Sequence, residues 1–275
     1  GTLTISAAQT FTGDLTVNAG TVDVNGTLAD TVDVIVGDNS TAIYEVGATD
    51  TIQSLQVGTA GRVVLTAGLT TGDGGANTIA GVISGASNLT KAGAGTLTIS
   101  AAQTFTGDLT VNGGKVDNNS TLADGVDVIV SNNSGSIYEV GAADTIASLK
   151  LSGTNASVIL TDALTVAGGT NAITGVISGA GALTISSGTT TFNTAQTFTG
   201  NLALSAGTIE FQSASTLESG NSDMAIDNDG TITYSSTAAQ ILSGVISGDG
   251  SIIKEETSVL TLGGNNTFTG DLTVN

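Results

Sequence analysis

Apolar and polar residues alternate with a period of two along short stretches of this chain: TLTIS from Thr2, DLTVN from Asp14, TVDVN from Thr21, AIYEV from Ala42, TIQSLQV from Thr51 and TITY from Thr231. Leu, Ile and Val fall on one side and Thr, Asp, Gln or Asn on the other, which predicts half-buried β-strands; nothing reads as a helix. Between the strands stand NAG, VGDNS, VGA, NGG, SGA and SGDG, where Gly and Asn supply the positive φ angles of tight turns.

The strands recur at fixed spacing. The block GTLTISAAQTFTGDLTVN at Gly1–Asn18 returns unchanged at Gly95–Asn112, and degenerate copies follow at Gln196–Leu204 and Asn266–Asn275. LADTVDVIV from Leu28, IYEVGATDTI from Ile43 and GVISG from Gly81 all recur 94 residues on, whereas the GVISG at Gly175 recurs after only 69, at Gly244. QTFTG at Gln196 recurs as NTFTG at Asn266, 70 residues on. Four coils of about 23.5 residues fill the long unit and three of about 23.3 fill the 70-residue one, so the spacing predicts a stack of similar layers from which one layer has been lost. Three short strands and three bends fit such a coil. The expected fold is all-β: a right-handed parallel β-helix, or single-stranded β-solenoid, of about 12 coils of about 23 residues and about 55 Å in length. It is read as one continuous body, residues 1–275, built of repeats 1–94, 95–187 and 188–257 and a partial repeat 258–275. Because the block that opens at Gly1 also closes at Asn275, the chain is expected to be a slice of a longer array. A β-propeller needs roughly 40 to 50 residues per blade and would not survive loss of half a blade.

Composition narrows the chemistry. Aromatic residues are 3% of the chain, so the bore must be narrow and filled by Ala, Val, Ile and Leu; Pro is absent, and the 39 Gly are turns, not a collagen period. Five basic against 24 acidic residues give a formal charge of −19, which excludes nucleic acid as a partner and any basic patch on a lipid surface. No apolar run is long enough for direct membrane insertion of this segment. With no Cys and no His, thiol nucleophiles, His-based triads and the usual zinc ligand sets are missing.

The run GVISGASNLTKAGAGTLTISAAQTFTGDLTVNGG, Gly81–Gly114, resembles the autotransporter-associated β-strand repeat of passenger regions in type V secreted bacterial proteins. The resemblance rests on Gly81–Gly85, the Leu-x-Lys step at Leu89–Lys91, Gly93–Ser100, Gln103–Gly107 and Thr110–Gly114, with Gln103 and Phe105 in place of Asn and Tyr. A second copy covers Gly244–Asn275 with Lys254 at the Lys position, and a third, Gly175–Ser205, lacks the Lys. It implies an extracellular β-helix at the bacterial cell surface, an adhesin or fibre stalk anchored outside this segment, and no catalytic site. Self-association or end-to-end stacking, and contact with a host or neighbouring-cell surface, are the expected partnerships.

Candidate sites are few, and no catalytic, cofactor-binding or metal residue is predicted; the chain is not expected to be an enzyme. Glu255 and Glu256 are adjacent, and strand neighbours point to opposite faces, so they do not make the facing pair of a glycosidase. Asp227, Asp229 and Gly230 in DNDG suggest a calcium loop, but the sequence occurs once and Asp and Asn form turns. Asp14, Asp108 and Asp271 recur after FTG yet become Asn201 in the third unit. Phe11, Phe105, Phe198 and Phe268 recur in phase as core or corner residues rather than a sugar-stacking platform. Thr pairs such as Thr2 and Thr4, or Thr10 and Thr12, are too intermittent for an ice-binding face. Asn39 and Asn155 head glycosylation sequons. The alternatives to a structural and adhesive rod are a polysaccharide-active β-helix enzyme and a calcium- or ice-binding solenoid.

Overall fold

A computed structural model describes residues 1–72, 77–218 and 221–275. Among them every strand pairs in parallel with a strand one turn away, and all but the end strands of each sheet do so on both sides, forming sheets of 5, 10, 12, 6 and 3 strands and no α-helix. The result is a β-solenoid of about 13 turns with three faces. The first face carries the 5-stranded sheet and then the 6-stranded one. The second carries the 10-stranded and then the 3-stranded sheet, and the third is a 12-stranded ladder that runs from Asp50–Ile52 to Leu272–Val274. At about 4.8 Å per turn the body is about 60 Å long.

Side chains alternate in and out as the sequence requires. Asp33–Val36, Ala42–Val46 and Leu69–Thr71 each bury every second residue. Inward residues stack in columns because parallel pairing sets like position over like position. On the third face Ile173, Phe192, Phe211, Tyr234 and Lys254 lie one above another. The rings of Phe192 and Phe211 stack at 5.3 Å, Tyr234 follows at 5.7 Å, and the Lys254 ammonium lies 5.6 Å from the Tyr234 ring.

Most turns are shorter than the 23 residues that the spacing predicts, although Thr208 and Thr231 are 23 apart and Leu202 and Ile226 are 24 apart. Partners one turn apart are 19 residues apart at Thr2 and Thr21, 20 at Leu89 and Leu109, and 22 at Gly20 and Ala42. The reason is that the 94-residue repeat does not hold a whole number of turns. Thr2–Ile5 lies in the 5-stranded sheet, but its duplicate Thr96–Ile99 lies in the 10-stranded one. Leu15–Val17 is in the 10-stranded sheet and its duplicate Leu109–Val111 in the 12-stranded ladder. Each duplicate has moved to another face, so the long unit spans four and two-thirds turns of about 20 residues. The shortened unit spans three and a third, because Val176–Gly179 on the second face is followed by Ile246–Ser247 back on the first. What the third unit lost is therefore one turn and a third.

The corners depend on close approach. The last Gly of each GVISG, at Gly85, Gly179 and Gly248, has φ of 108°, 103° and 97°. A Cβ there would sit 2.1 to 2.2 Å from the carbonyl oxygen of Leu65, Leu160 or Asn228 one turn below.

Candidate functional site

The recurring motifs meet in space, and what they build is scaffold. The amide of Gln103 accepts from the Ile83 N–H at 2.8 Å and donates to the Gly81 carbonyl at 3.2 Å. Gln196 does the same to Ile177 at 2.7 Å and Gly175 at 3.2 Å, and Asn266 accepts from Ile246 at 2.8 Å. In these three copies the Gln or Asn that opens QTFTG or NTFTG thus serves the backbone of the GVISG one turn earlier, whereas Gln9, in the first copy, donates to the Ala7 carbonyl at 2.8 Å. Next in each copy, the backbone carbonyl of Asp108, Asn201 or Asp271 accepts the N–H of Leu89, Leu183 or Ile252 at 2.9 Å. Only the main chain is used, which is why Asn replaces Asp there without harm to the fold.

Two lysines are core residues. Lys91 is fully buried and Lys254 nearly so. The Lys91 ammonium donates to the Ala92 and Gly93 carbonyls, and that of Lys254 to the Glu255 and Glu256 carbonyls. Each aliphatic stem fills the bore while the head group serves the carbonyls of its own corner. In the third copy the position is Ile185, buried as well.

Two carboxylates are also buried. Asp144 is 6% exposed and accepts from the N–H groups of Leu122 (3.2 Å) and Thr145 (2.9 Å) and from the Asn118 amide (2.9 Å). Burial pushes its pKa up to about 6, with a smaller push from Asp124, against the pull of those hydrogen bonds. The Asn118 amide also donates to the Tyr138 hydroxyl at 3.0 Å. In the first repeat Asp50, 4% exposed, accepts from Leu28 and Thr51, each at 3.0 Å, and its pKa is raised by burial. There Val24 stands at the Asn118 position and the buried Tyr44 hydroxyl has no partner among the described residues. Burial raises the pKa of both tyrosines beyond the ordinary phenol range.

The residues singled out by sequence do not converge. Glu255 and Glu256 follow the strand Ser251–Lys254 at a corner, where Glu255 accepts from the Ser235 hydroxyl at 2.8 Å and Glu256 has a φ of 60°. Asp227 accepts from the Ser247 hydroxyl at 3.2 Å and Asp229 from the Asp249 N–H at 3.0 Å, so both are spent on the next turn. Among the described residues no three His, Cys, Asp or Glu are grouped to hold a metal ion. Phe105 and Phe198 are fully buried on different faces, Phe268 packs against the core and Phe11 is 39% exposed. Thr51, Thr70, Thr90 and Thr110 form one outward column, which Ile129 ends. Asn39 is exposed and accepts from Thr41; Asn155 is exposed beside Asn132. Among the described residues no helix is long and apolar enough to cross a membrane.

The passenger-associated-transport-repeat family model matches residues 1–24, 89–117 and 252–275. These three segments are similar to the autotransporter passenger repeat. The matched segments include the Leu-x-Lys step at Leu89–Lys91, the block Gly95–Asn112, Lys254 and the final NTFTG, so the passenger repeat coincides with the corner-capping lysines and with Gln103 and Asn266. Searches of curated proteins and of solved structures return no match. The roles of the buried Lys, Gln and Asp residues were not read from the sequence. The signal that could have found them is the recurrence of a polar residue at an inward phase of the alternation, as in LTK at Leu89 and DTI at Asp50 and Asp144.

Proposed function

We propose that this chain is part of an exported passenger that stands at a bacterial surface as a stiff, acidic rod, serving as stalk or filament scaffold for adhesion. The observation that carries the reading is the coincidence of the passenger repeat with a 12-stranded ladder unbroken from Asp50 to Val274. Hydrogen bonds along the axis make bending costly without disulfides, and the charge of −19 keeps parallel rods from clumping at random. Self-association then runs end to end, where strand edges meet, rather than side by side.

Antibodies against this segment, applied to intact cells that carry the whole gene, test the placement: labelling of unpermeabilised cells is expected, and labelling only after lysis would sink the reading. Negative-stain microscopy of the purified chain tests the shape, with rods about 60 Å long or end-to-end multiples expected. Compact globules would be incompatible with a stalk.

A further inference from the structure

The corner between Asp33–Val36 on the second face and Ala42–Val46 on the first carries Asn39, Ser40 and Thr41 in succession, and residues 38–41 are all exposed. Its ends are fixed: the Gly37 N–H donates to the Val17 carbonyl and the Ala42 N–H to the Asn39 carbonyl, each at 2.8 Å. Within the corner the Asn39 side-chain oxygen accepts from the Thr41 N–H at 3.0 Å and from the Thr41 hydroxyl at 2.9 Å. A main-chain N–H can only donate, so the atom it meets is Oδ1. Nδ2 is then the atom left over, with no hydrogen-bond partner among the described residues. The neighbouring Asp38 does not compete for it, because its carboxylate accepts from the Thr59 hydroxyl at 2.6 Å and the Ala60 N–H at 2.8 Å on the following turn.

We propose that Asn39 is an acceptor for an N-linked sugar, placed there by a glycosyltransferase that uses a glycosyl diphosphate as donor. An amide nitrogen is a poor nucleophile because its lone pair is shared with the carbonyl. It attacks as it gives up a proton, and negative charge then builds on the oxygen. Two donors already aimed at Oδ1 stabilise that charge where it develops. In the step itself Nδ2 loses one proton to a base of the transferase, and its electron pair forms the bond to the anomeric carbon of the sugar. The bond from that carbon to the diphosphate oxygen breaks, and its electron pair leaves on the diphosphate. The added sugar stands outside the rod at a corner, where no strand pairing has to yield.

Other Asn-x-Ser/Thr sites of the chain are built differently. Asn25 spends Nδ2 on the Asp23 carboxylate at 2.8 Å, and Asn118 is buried and spends its own on Tyr138 and Asp144. Oδ1 of Asn88 accepts from the Asp108 N–H at 2.8 Å, and that of Asn132 from the Asn155 N–H at 3.1 Å. Asn155 is exposed, but its hydroxyl partner in the sequence, Ser157, lies in the strand Ser157–Leu160. The duplicate of the Asn39 corner has diverged as well. There Asn133 is followed by Ser134 and Gly135, with no hydroxyl at the third place, and its Nδ2 donates to the main-chain and side-chain oxygens of Asn112 at 3.0 and 2.7 Å. One copy of the asparagine is tied into the scaffold, and the other leaves its amide nitrogen to solvent.

Purified folded chain, incubated with a soluble N-glycosyltransferase and UDP-glucose and followed by peptide mass mapping, separates this site from the rest. Sugar is expected at Asn39 about tenfold or more faster than at Asn88 or Asn155, the effect of one hydrogen bond to a developing charge. Thr41→Ser is expected to keep the Asn39 rate within a few-fold and Thr41→Ala to abolish it, with circular dichroism unchanged in both. Chain isolated from the native cells that carry the whole gene is expected to bear sugar at Asn39. A single hexose there marks a nucleotide-linked donor, and an oligosaccharide marks a lipid-linked one. Equal rates at Asn39 and Asn155, or an unmodified Asn39 in the native material, overturns the proposal.

Discussion

Tyr44 and Tyr138 occupy equivalent places in two copies of one repeat, so the same substitution in each measures the worth of one hydrogen bond. Both rings are fully buried. The Tyr138 hydroxyl receives the Asn118 amide at 3.0 Å, whereas the Tyr44 hydroxyl has no partner among the described residues. Tyr138→Phe removes a buried bond and leaves one Asn118 hydrogen without its acceptor, a loss of about 1 kcal/mol. Tyr44→Phe removes a hydroxyl that was dehydrated without compensation, a gain of about 1 kcal/mol. For a chain of 275 residues the unfolding entropy is roughly 0.6 kcal/mol/K, so the melting temperature should fall by about 2 °C in the first variant and rise by about 2 °C in the second. Calorimetry and urea titration at pH 7.5 suffice, with the double variant as a check on additivity across several turns. Shifts of the same sign and size would refute the reasoning, because they would mean that water or a relaxed geometry satisfies Tyr44 as well as Asn118 satisfies Tyr138.

Three other substitutions bear on the same physics. Gly179→Ala should cost about 3 kcal/mol or more, since φ is 103° and the new Cβ meets the Leu160 carbonyl at 2.2 Å; a loss under 1 kcal/mol in urea titration would show that the corner yields. Lys254→Met should be neutral within about 1.5 kcal/mol, because burial of the charge and loss of its bonds offset each other, whereas Lys254→Ala should cost about 2–4 kcal/mol through the cavity; equal losses in thermal melts would make the ammonium, not the stem, the essential part. Thr21→Lys should place an ammonium between Asp23 and Glu45, as Lys115 sits by Glu139 at 2.5 Å and Asp117 at 4.0 Å. A gain of about 0.2–1 kcal/mol that fades in high salt is expected, and a salt-independent change would argue against pairing.

The solenoid was legible because alternation and repetition act on every residue at once. TLTIS at Thr2 offers only Leu3 and Ile5 on one side, and its recurrence at Thr96 brings the same partner on the following turn, Thr21–Val24 in the first copy and Lys115–Asn118 in the second. The length of a turn was not legible, because spacing arithmetic assumes that a repeat ends on the face where it began. Nothing in the residues at Gly95 announces that the chain has moved on by two-thirds of a turn; only the pairing of Thr96–Ile99 with Lys115–Asn118 in another sheet shows it. The resemblance carried by GVISG, Leu-x-Lys and QTFTG led to the right repeat family, but the roles of Lys91 and Gln103 depend on contacts across one turn, about 20 residues away, that a linear motif does not contain. Asp50 and Asp144 look in sequence like surface acids of a strongly acidic chain, and burial sets them apart.

The movement of duplicates between faces also explains how the third unit could lose one turn and a third and still fold. A closed wheel of blades has unique positions, so a fractional deletion leaves a gap. In this solenoid all three faces accept the same kind of strand, with Leu or Ile inward and Thr outward, as in Leu89–Lys91 on the third face and Leu183–Ile185 on the first. A deletion therefore needs to preserve only the in–out parity of the strands and the corner donors, not the face. Ile185 in place of a lysine, and Asn201 in place of an aspartate, are the adjustments seen where the shortened unit begins. The same freedom has a consequence for display. Outward groups duplicated 94 residues apart, such as Glu45 and Glu139, come out on different sides of the rod. Duplicated surface groups therefore point in more than one direction about the solenoid axis, which no repeat of a whole number of turns would give.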